Sequence, residues 1–186
     1  MTRTKIDYGI DLGTTNSALA RMEGGKPNII SPPGAPQNFI PSCVGFNKKR
    51  SILVGNAAES QFRSDKLKAV TRNIESNTFI EFKRTMGTDK SYYSPYMEEN
   101  YNSEDLSAEI LKKLKSFITD ENFNTVVITV PAKFEIRQKD ATLRAARSAG
   151  FQYTELLQEP IAASMAYGLD SKSKNGYWVV FDFGGG

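Results

Sequence analysis

Two short stretches of this sequence place an aspartate two residues before a glycine at the end of an apolar strand. The first is YGIDLGTT, with Asp11 and Gly13, and the second is VVFDFGGG, with Asp182 and Gly184. A glycine there lets the backbone approach a ligand closely, and backbone N–H groups of the turn can point at an anion. A carboxylate does not favour a bare phosphate, but it suits Mg²⁺, which binds one or two carboxylates together with waters and phosphate oxygens. Either loop alone is compatible with an ordinary turn, but the two together favour paired phosphate loops around a metal ion.

Two charged residues elsewhere could complete a site for phosphoryl transfer. Lys83 lies in IEFKRTMG, between an apolar segment and a turn at Gly87, and an ammonium group is a suitable point charge for a phosphate. It could also form a solvated basic pair with Arg84. Glu159 directly precedes Pro160 at a predicted helix start, where a carboxylate either matches the helix dipole or orients a water molecule. Lys83 and Glu159 are therefore candidate catalytic residues.

Composition excludes several classes of chemistry. The 186 residues contain no histidine, which removes histidine-based acid–base catalysis, histidine-dependent triads and histidine-ligated metals. Cys43 is the only cysteine, so no internal disulfide can form, and its apolar flanks predict a small core residue. Net charge is +3, and the 24 basic residues are scattered apart from residues 48–50, which argues against nucleic-acid binding. The polar start of the chain and the lack of an apolar run of about 20 residues predict a cytoplasmic protein with no signal peptide and no membrane partner.

Strands and helices alternate after an opening β-meander. This order predicts an α/β fold in which helices flank a mixed sheet. The run TVVITV, which ends at Pro131, is typical of a strand buried on both faces. The predicted elements are two strands within 6–23, strands at 28–30 and near Cys43, short helices and polar loop at 55–102, a helix at 103–118, a strand at 125–130, a helix at 135–149 stopped by Gly150, a strand at 153–158, a helix from Glu159, and a strand with a glycine-rich turn at 176–186.

Several stretches together resemble the ATPase domain of the seventy-kilodalton heat-shock chaperones of the DnaK type. They follow the order and spacing of that family across nearly the whole chain. They are GIDLGTTNSALA (9–20), FIPSCVGF (39–46), VGNAAESQF (54–62), FKRTMG (82–87), VVITVPAKF (126–134), LLQEPIAASMAYGLD (156–170) and FDFGGG (181–186). The resemblance implies an actin-like, ribonuclease-H-like ATPase fold with a mixed sheet flanked by helices, of which this chain would form one lobe of two with an inserted subdomain.

The resemblance also implies a division of the chain and a role for each site residue. Residues 1–36 and 103–175 would form the core subdomain of the first lobe, 37–102 its inserted subdomain, and 176–186 the first strand and phosphate loop of the second lobe. Lys83 would position the γ-phosphate and the attacking water, and Glu159 would orient that water and the metal. The remaining implied roles are phosphate binding by Gly13, Thr14, Thr15, Asn16, Gly184, Gly185 and Gly186, and Mg²⁺ binding through water by Asp11 and Asp182.

Two departures from the family pattern affect what this chain should do. Pro131 resembles a hinge proline that relays nucleotide state, but Lys139 stands where the family usually has an arginine, and the loss of bidentate geometry weakens the expectation of standard interdomain coupling. The sequence stops at Gly186, before the family's adenosine pocket, linker and substrate domain. We therefore expect this chain alone to bind ATP more weakly than about 1 mM and to have negligible ATPase activity.

The function that the resemblance implies is that of a stress-response chaperone assisting protein folding, in which ATP binding and hydrolysis control peptide binding by a C-terminal domain. Its cofactors would be ATP or ADP and Mg²⁺, with K⁺ as a further candidate ion. Its partners would be unfolded client peptides, a J-domain co-chaperone and a nucleotide-exchange factor. Independently of the resemblance, the apolar strand before Gly186 predicts either self-association by strand pairing with another chain or packing back on the first lobe. An actin-like cytoskeletal filament ATPase is the alternative, since it shares the Asp-x-Gly loops, although FKRTMG and VPAKF favour the chaperone.

Overall fold

The computed structural model describes residues 6–69, 76–168 and 179–181. The strands in chain order are β1 (Tyr8–Leu12), β2 (Asn16–Glu23), β3 (Lys26–Ile30), β4 (Ile40–Pro41), β5 (Cys43–Phe46), β6 (Ile52–Val54), β7 (Thr78–Ile80), β8 (Tyr92–Ser94), β9 (Glu99–Tyr101), β10 (Thr125–Val130) and β11 (Tyr153–Gln158). The helices are α1 (Asn56–Ala69), α2 (Ser103–Lys115), α3 (Ile136–Ser148) and α4 (Glu159–Ala166), with a short 3-10 helix at Phe82–Thr85 between β7 and β8.

The largest sheet is mixed, as the strand and helix order predicts. Its main path is β11-β10-β1-β2-β3, and β4 also pairs with β2. β10 runs parallel to both β1 and β11, while β2 is antiparallel to β1, β3 and β4. The carboxyl ends of β1, β10 and β11 therefore lie at one edge of the sheet, the edge at which ligands bind in open α/β folds.

Helices α2 and α3 cover one face of this sheet, and burial alternates accordingly. Ile10 and Leu12 of β1 are buried, as are Val126, Ile128 and Val130 of β10, each at most 2% exposed, whereas the residues between them on β10 are half-buried. Burying such a side chain contributes about 1.5–3 kcal/mol. The prediction that β10 is buried on both faces is wrong, because its second face is only partly covered in the described part of the chain.

Capping residues define the ends of both central helices. Asn102 and Asp105 form a reciprocal capping box at the start of α2, each accepting a backbone N–H of the other at 2.9 Å. The predicted helix extended to residue 118, but α2 ends at Lys115, and residues 117 and 118 pack against the core from beyond the helix. Gly150 follows α3 with φ of 84°, so the predicted glycine stop is confirmed.

Two small sheets lie between β4 and α2. One has the order β6-β5-β7 and the other is the β8-β9 hairpin. The sequence predicted only short helices and polar loop at 55–102, because strands of three residues are too short to show periodicity. β4 pairs with the large sheet, and Val44 and Phe46 of β5 belong to the same core as Leu106 of α2. The division of the chain at 37–102 stays a prediction.

The predicted strand at 176–186 lies mainly outside the described residues, as do Asp182, Gly184, Gly185 and Gly186. Residues 179–181 are described and form no strand there, and Val179 and Phe181 are largely exposed. Among the helices that the structure describes, none has both the length and the apolar character needed to cross a bilayer.

Candidate functional site

The turn between β1 and β2 requires glycine at its first position. A Cβ on Gly13 would lie 2.1 Å from the backbone oxygen of Asn16, far inside van der Waals contact. Thr15 and Asn16 are exposed at this turn. In the described part of the chain no hydrogen bond takes up the backbone N–H of Thr14 or Thr15. The turn therefore presents backbone donors and hydroxyl groups together, which is the chemistry that binds phosphate.

Asp11 lies one residue before the end of β1 and is held by the neighbouring parallel strand. The hydroxyl of Thr129 on β10 donates to Asp11 Oδ1 at 2.6 Å. Asp11 remains exposed, and its second carboxylate oxygen can reach solvent or a bound ion. The sequence pattern did not single out Thr129, although it stands as a polar residue within an apolar run.

Lys83 and Glu159 form an ion pair across 76 residues of sequence. The Nζ of Lys83 donates to Glu159 Oε1 at 2.7 Å. The Lys83 side chain is only 6% exposed and that of Glu159 23%, so water screens this pair less than a surface pair. The same Nζ lies 5.7 Å from the centroid of the Phe134 ring, on the loop before α3. The sequence left open a solvated basic pair of Lys83 with Arg84. The structure differs, because Arg84 forms its own ion pair with Glu81, with Nε and Oε2 3.5 Å apart.

The short helix that carries Lys83 is held at its carboxyl end. Thr85, at its last position, shares hydrogen bonds of 2.8 Å with the Tyr92 hydroxyl and 2.7 Å with the Ser103 hydroxyl at the start of α2. Gly87 follows with φ of 72°, and a Cβ there would lie 2.9 Å from the backbone of Arg137 on α3. The glycine of FKRTMG thus allows the Lys83 segment to contact α3 closely.

The candidate residues meet at the carboxyl edge of the large sheet. Val130 pairs with Gln158 at the ends of β10 and β11, so Glu159 follows directly at this edge. Asp11 reaches the same edge through Thr129, and the Gly13 turn follows it. The structure thus brings together Lys83, Glu159, Asp11 and the turn, while the predicted second loop lies outside the described residues.

This arrangement fits a nucleotide with Mg²⁺. In the residues that the structure describes, no three histidine, cysteine, aspartate or glutamate side chains form a metal-binding group. Asp11 would therefore hold a cation with waters and ligand oxygens rather than within a protein cage, which is how Mg²⁺ binds beside phosphates. The exposed carboxylate and the donor-rich turn next to it provide the two kinds of group needed.

Three further residues complete the comparison with the sequence predictions. The Pro131 oxygen accepts the N–H of Phe134 at 3.0 Å, directly beside the ring that packs against Lys83. Lys139 is half-buried on α3, and the relay roles of Pro131 and Lys139 stay predictions. Cys43 is 2% exposed, which confirms the predicted core residue, and this burial raises the pKa of its thiol to about 12.

Comparison with known proteins gives consistent matches. A family model described as Hsp70 protein matches residues 7–186. The chain is 44% identical over 193 residues to the chaperone protein DnaK of Methanothermobacter thermautotrophicus, covering 100% of this chain and 30% of that protein. It is 41% identical over 184 residues to the chaperone protein DnaK of Nitrosopumilus maritimus, covering 96% of this chain and 27% of that protein. The chain spans less than a third of the length of either relative.

These matches account for the architecture as well as the motifs. The mixed sheet and its flanking helices are those of the actin-like ATPase fold that the family implies, as predicted from the sequence. Neither of the two relatives is a filament protein, so the cytoskeletal alternative is not favoured. By the extent of the family match and the level of identity, the chain belongs to the Hsp70 protein family.

Proposed function

We propose that this chain is the ATP-binding part of a molecular chaperone that hydrolyses ATP and uses its nucleotide state to control the binding of unfolded peptides by a C-terminal domain. The observation that carries the proposal is the partly buried Lys83–Glu159 pair, with Nζ and Oε1 2.7 Å apart, at the sheet edge that also holds Asp11 and the Gly13 turn. The names of the two DnaK relatives support it.

In this proposal each side chain acts through its charge and position. The turn at Gly13, Thr14, Thr15 and Asn16 binds phosphate through N–H and hydroxyl donors. Lys83 directs its ammonium group at the transferred phosphate, and the carboxylate of Glu159 fixes that ammonium while it orients the attacking water. Mg²⁺, when bound, would neutralise phosphate charge beside Asp11.

The same proposal extends to parts that the structure does not describe. Asp182 and the glycines at 184–186 would form the second phosphate loop, and K⁺ is a further candidate ion. A J-domain co-chaperone and a nucleotide-exchange factor are the proposed protein partners, with self-association through the C-terminal strand as an additional contact. The cytoplasmic location stays a prediction, as does the weak ATP binding of this chain alone.

The test is phosphate release by the complete polypeptide, because this chain covers less than a third of the relatives. The wild type should hydrolyse ATP faster when an unfolded peptide is added. Lys83→Met should reduce kcat by about 10²–10³-fold, the usual loss when a charge that stabilises a transition state is removed. Lys112→Met is the control, since Lys112 pairs with Glu109 at the same 2.7 Å distance on the exposed side of α2. ATP-dependent polymers in sedimentation, or unchanged hydrolysis in Lys83→Met, would contradict the proposal.

A further inference from the structure

Ser42 holds the turn between β1 and β2, at residues 13–15, from its buried side. It is the single residue between β4 and β5 and is 4% exposed. Its hydroxyl donates to the carbonyl oxygen of Gly13 at 2.7 Å, and its backbone N–H donates to the carbonyl oxygen of Thr15, also at 2.7 Å. One buried residue thus binds two carbonyl groups of the turn.

Proton counting assigns the direction of the hydroxyl chain behind the turn. A serine hydroxyl has one proton, and the Gly13 carbonyl can only accept. The Ser42 proton therefore goes to Gly13, so the 2.8 Å contact between Ser42 Oγ and Ser17 Oγ has Ser17 as donor. Ser17 is 1% exposed, so the hydrogen bond between Ser17 and Ser42 is shielded from water, and the one between Ser42 and Gly13 is partly buried. Shielding and chain polarisation both strengthen these hydrogen bonds.

The anchored carbonyl determines where the next backbone donor points. In a planar trans peptide the C=O of one residue and the N–H of the next point in opposite directions. Because the Gly13 carbonyl points inward to Ser42, the Thr14 N–H points outward, and in the described part of the chain it has no hydrogen-bond acceptor. Ser42 thus sets the direction of a donor that it does not touch.

The hydrogen bond from Ser42 compensates for the backbone freedom that glycine brings to position 13. Position 13 must be glycine, since a Cβ would lie 2.1 Å from the Asn16 oxygen. Glycine has the widest backbone freedom of any residue, so the peptide plane between positions 13 and 14 is easily reversed. A reversed plane would turn the carbonyl oxygen outward, where it would repel a phosphate. The Ser42 hydroxyl stabilises the plane that presents the donor.

We propose that Ser42 is a positioning residue of the nucleotide site, which keeps the Thr14 N–H directed at the bound phosphate through its hydrogen bond to Gly13. The inference rests on the proposed phosphate-binding role of the turn. Ser42 itself is too buried to contact the ligand, so its effect passes entirely through the backbone of the turn.

The first measurement needs no nucleotide and follows amide hydrogen exchange at residue 42, whose N–H donates to Thr15. Ser42→Ala should exchange at least about tenfold faster, because loss of one buried hydrogen bond of about 1.4 kcal/mol corresponds to a factor of ten. Ser94→Ala is the matched control: it removes an equally buried hydroxyl that bonds Asn77 at 2.9 Å, away from the turn. Exchange in Ser42→Ala no faster than in Ser94→Ala would overturn the inference.

The second measurement is ADP binding in the presence of Mg²⁺, by titration calorimetry on the complete polypeptide. Ser42→Ala should bind about tenfold more weakly, Ser94→Ala should match the wild type, and Ser42→Thr, which keeps the hydroxyl, should restore binding. If the wild type binds ADP and Ser42→Ala binds it with equal affinity, the inference about Ser42 is overturned while the proposed function stands. A wild type that binds no ADP would overturn the proposed function instead, and the exchange at residue 42 would then decide whether Ser42 holds the turn.

Discussion

Neutralising Glu159 should destabilise the chain more than removing the ammonium group of Lys83. The two share one ion pair with Nζ and Oε1 2.7 Å apart, but the Lys83 side chain is 6% exposed and that of Glu159 23%. Glu159→Gln leaves a buried ammonium without its counter-charge, whereas Lys83→Met leaves a carboxylate that water can reach. A hydrogen bond to a charged group contributes about 1.5–3 kcal/mol, and an unpaired buried charge adds to the loss. We expect the free energy of unfolding to fall by about 2–3 kcal/mol in Glu159→Gln and by about 1 kcal/mol in Lys83→Met.

The assay is urea unfolding followed by circular dichroism at neutral pH. The pair of Lys112 and Glu109 on α2 is a control with the same 2.7 Å distance between nitrogen and oxygen, but it lies within one helix and its side chains are 49% and 21% exposed. Exposed helix pairs contribute about 0.3–0.5 kcal/mol, so Lys112→Met should lose no more than that. For a chain of this length, a loss of 1 kcal/mol in the free energy of unfolding lowers Tm by about 2–4 °C. Thermal unfolding should therefore rank the variants in the same order as urea unfolding.

The double variant Lys83→Met/Glu159→Gln separates pairing from other effects of the substitutions. It contains neither unpaired charge, so its loss should be smaller than the sum of the single losses by at least about 1 kcal/mol. Losses that simply add would refute the reasoning, because they would show that the two charges do not interact. A larger loss in Lys83→Met than in Glu159→Gln would refute the argument from burial.

Three further outcomes follow from the described geometry. Gly13→Ala should lower the urea midpoint and remove detectable ADP binding by the complete polypeptide in calorimetry, because its Cβ would lie 2.1 Å from the Asn16 oxygen; unaltered binding would contradict the tight turn. Since burial raises the pKa of Cys43 to about 12, iodoacetamide at about pH 8 should alkylate the folded chain at least about a thousandfold more slowly than the urea-unfolded chain, and equal rates would contradict its burial. Arg21 Nη1 donates to Asp120 at 2.7 Å and lowers the pKa of that carboxyl. The pair therefore stabilises the folded chain above the unfolded pKa of aspartate, about 3.9, and this stabilisation is lost as pH falls through the lower folded pKa. Arg21→Gln should flatten the acid side of the curve of urea midpoint against pH, and a curve as steep as that of the wild type would exclude this pair as a cause.

Much of the fold could be predicted because its signals are local. The helix start at Glu159 followed by proline, the glycine stop at Gly150 and the strand at 125–130 each depend on residues within one turn or one strand. The three-residue strands β6 to β9 could not be predicted, since their pairing partners, not their own composition, make them strands. The second face of β10 was misjudged because an apolar run does not reveal what covers it.

The candidate chemistry divides in the same way. Asp11 and Gly13 could be recognised from residue types at one strand end, and Lys83 and Glu159 became candidates through their flanking motifs. That Lys83 bonds Glu159 rather than solvent could not be predicted, because the contact joins the 3-10 helix to the start of α4.

The amino-acid sequence by itself determined which groups are available: carboxylates, one lysine beside a glycine turn, and no histidine at all. Only the tertiary structure decided how these groups pair and point. The Thr129 hydroxyl donates a hydrogen bond to Asp11 at 2.6 Å, and the Ser42 hydroxyl donates one to the Gly13 carbonyl oxygen at 2.7 Å. Hydrogen bonds act over about 3 Å, whereas these partners lie far apart along the chain. Parallel pairing of β1 with β10, and the β4–β5 connection behind the turn, bring them within that distance.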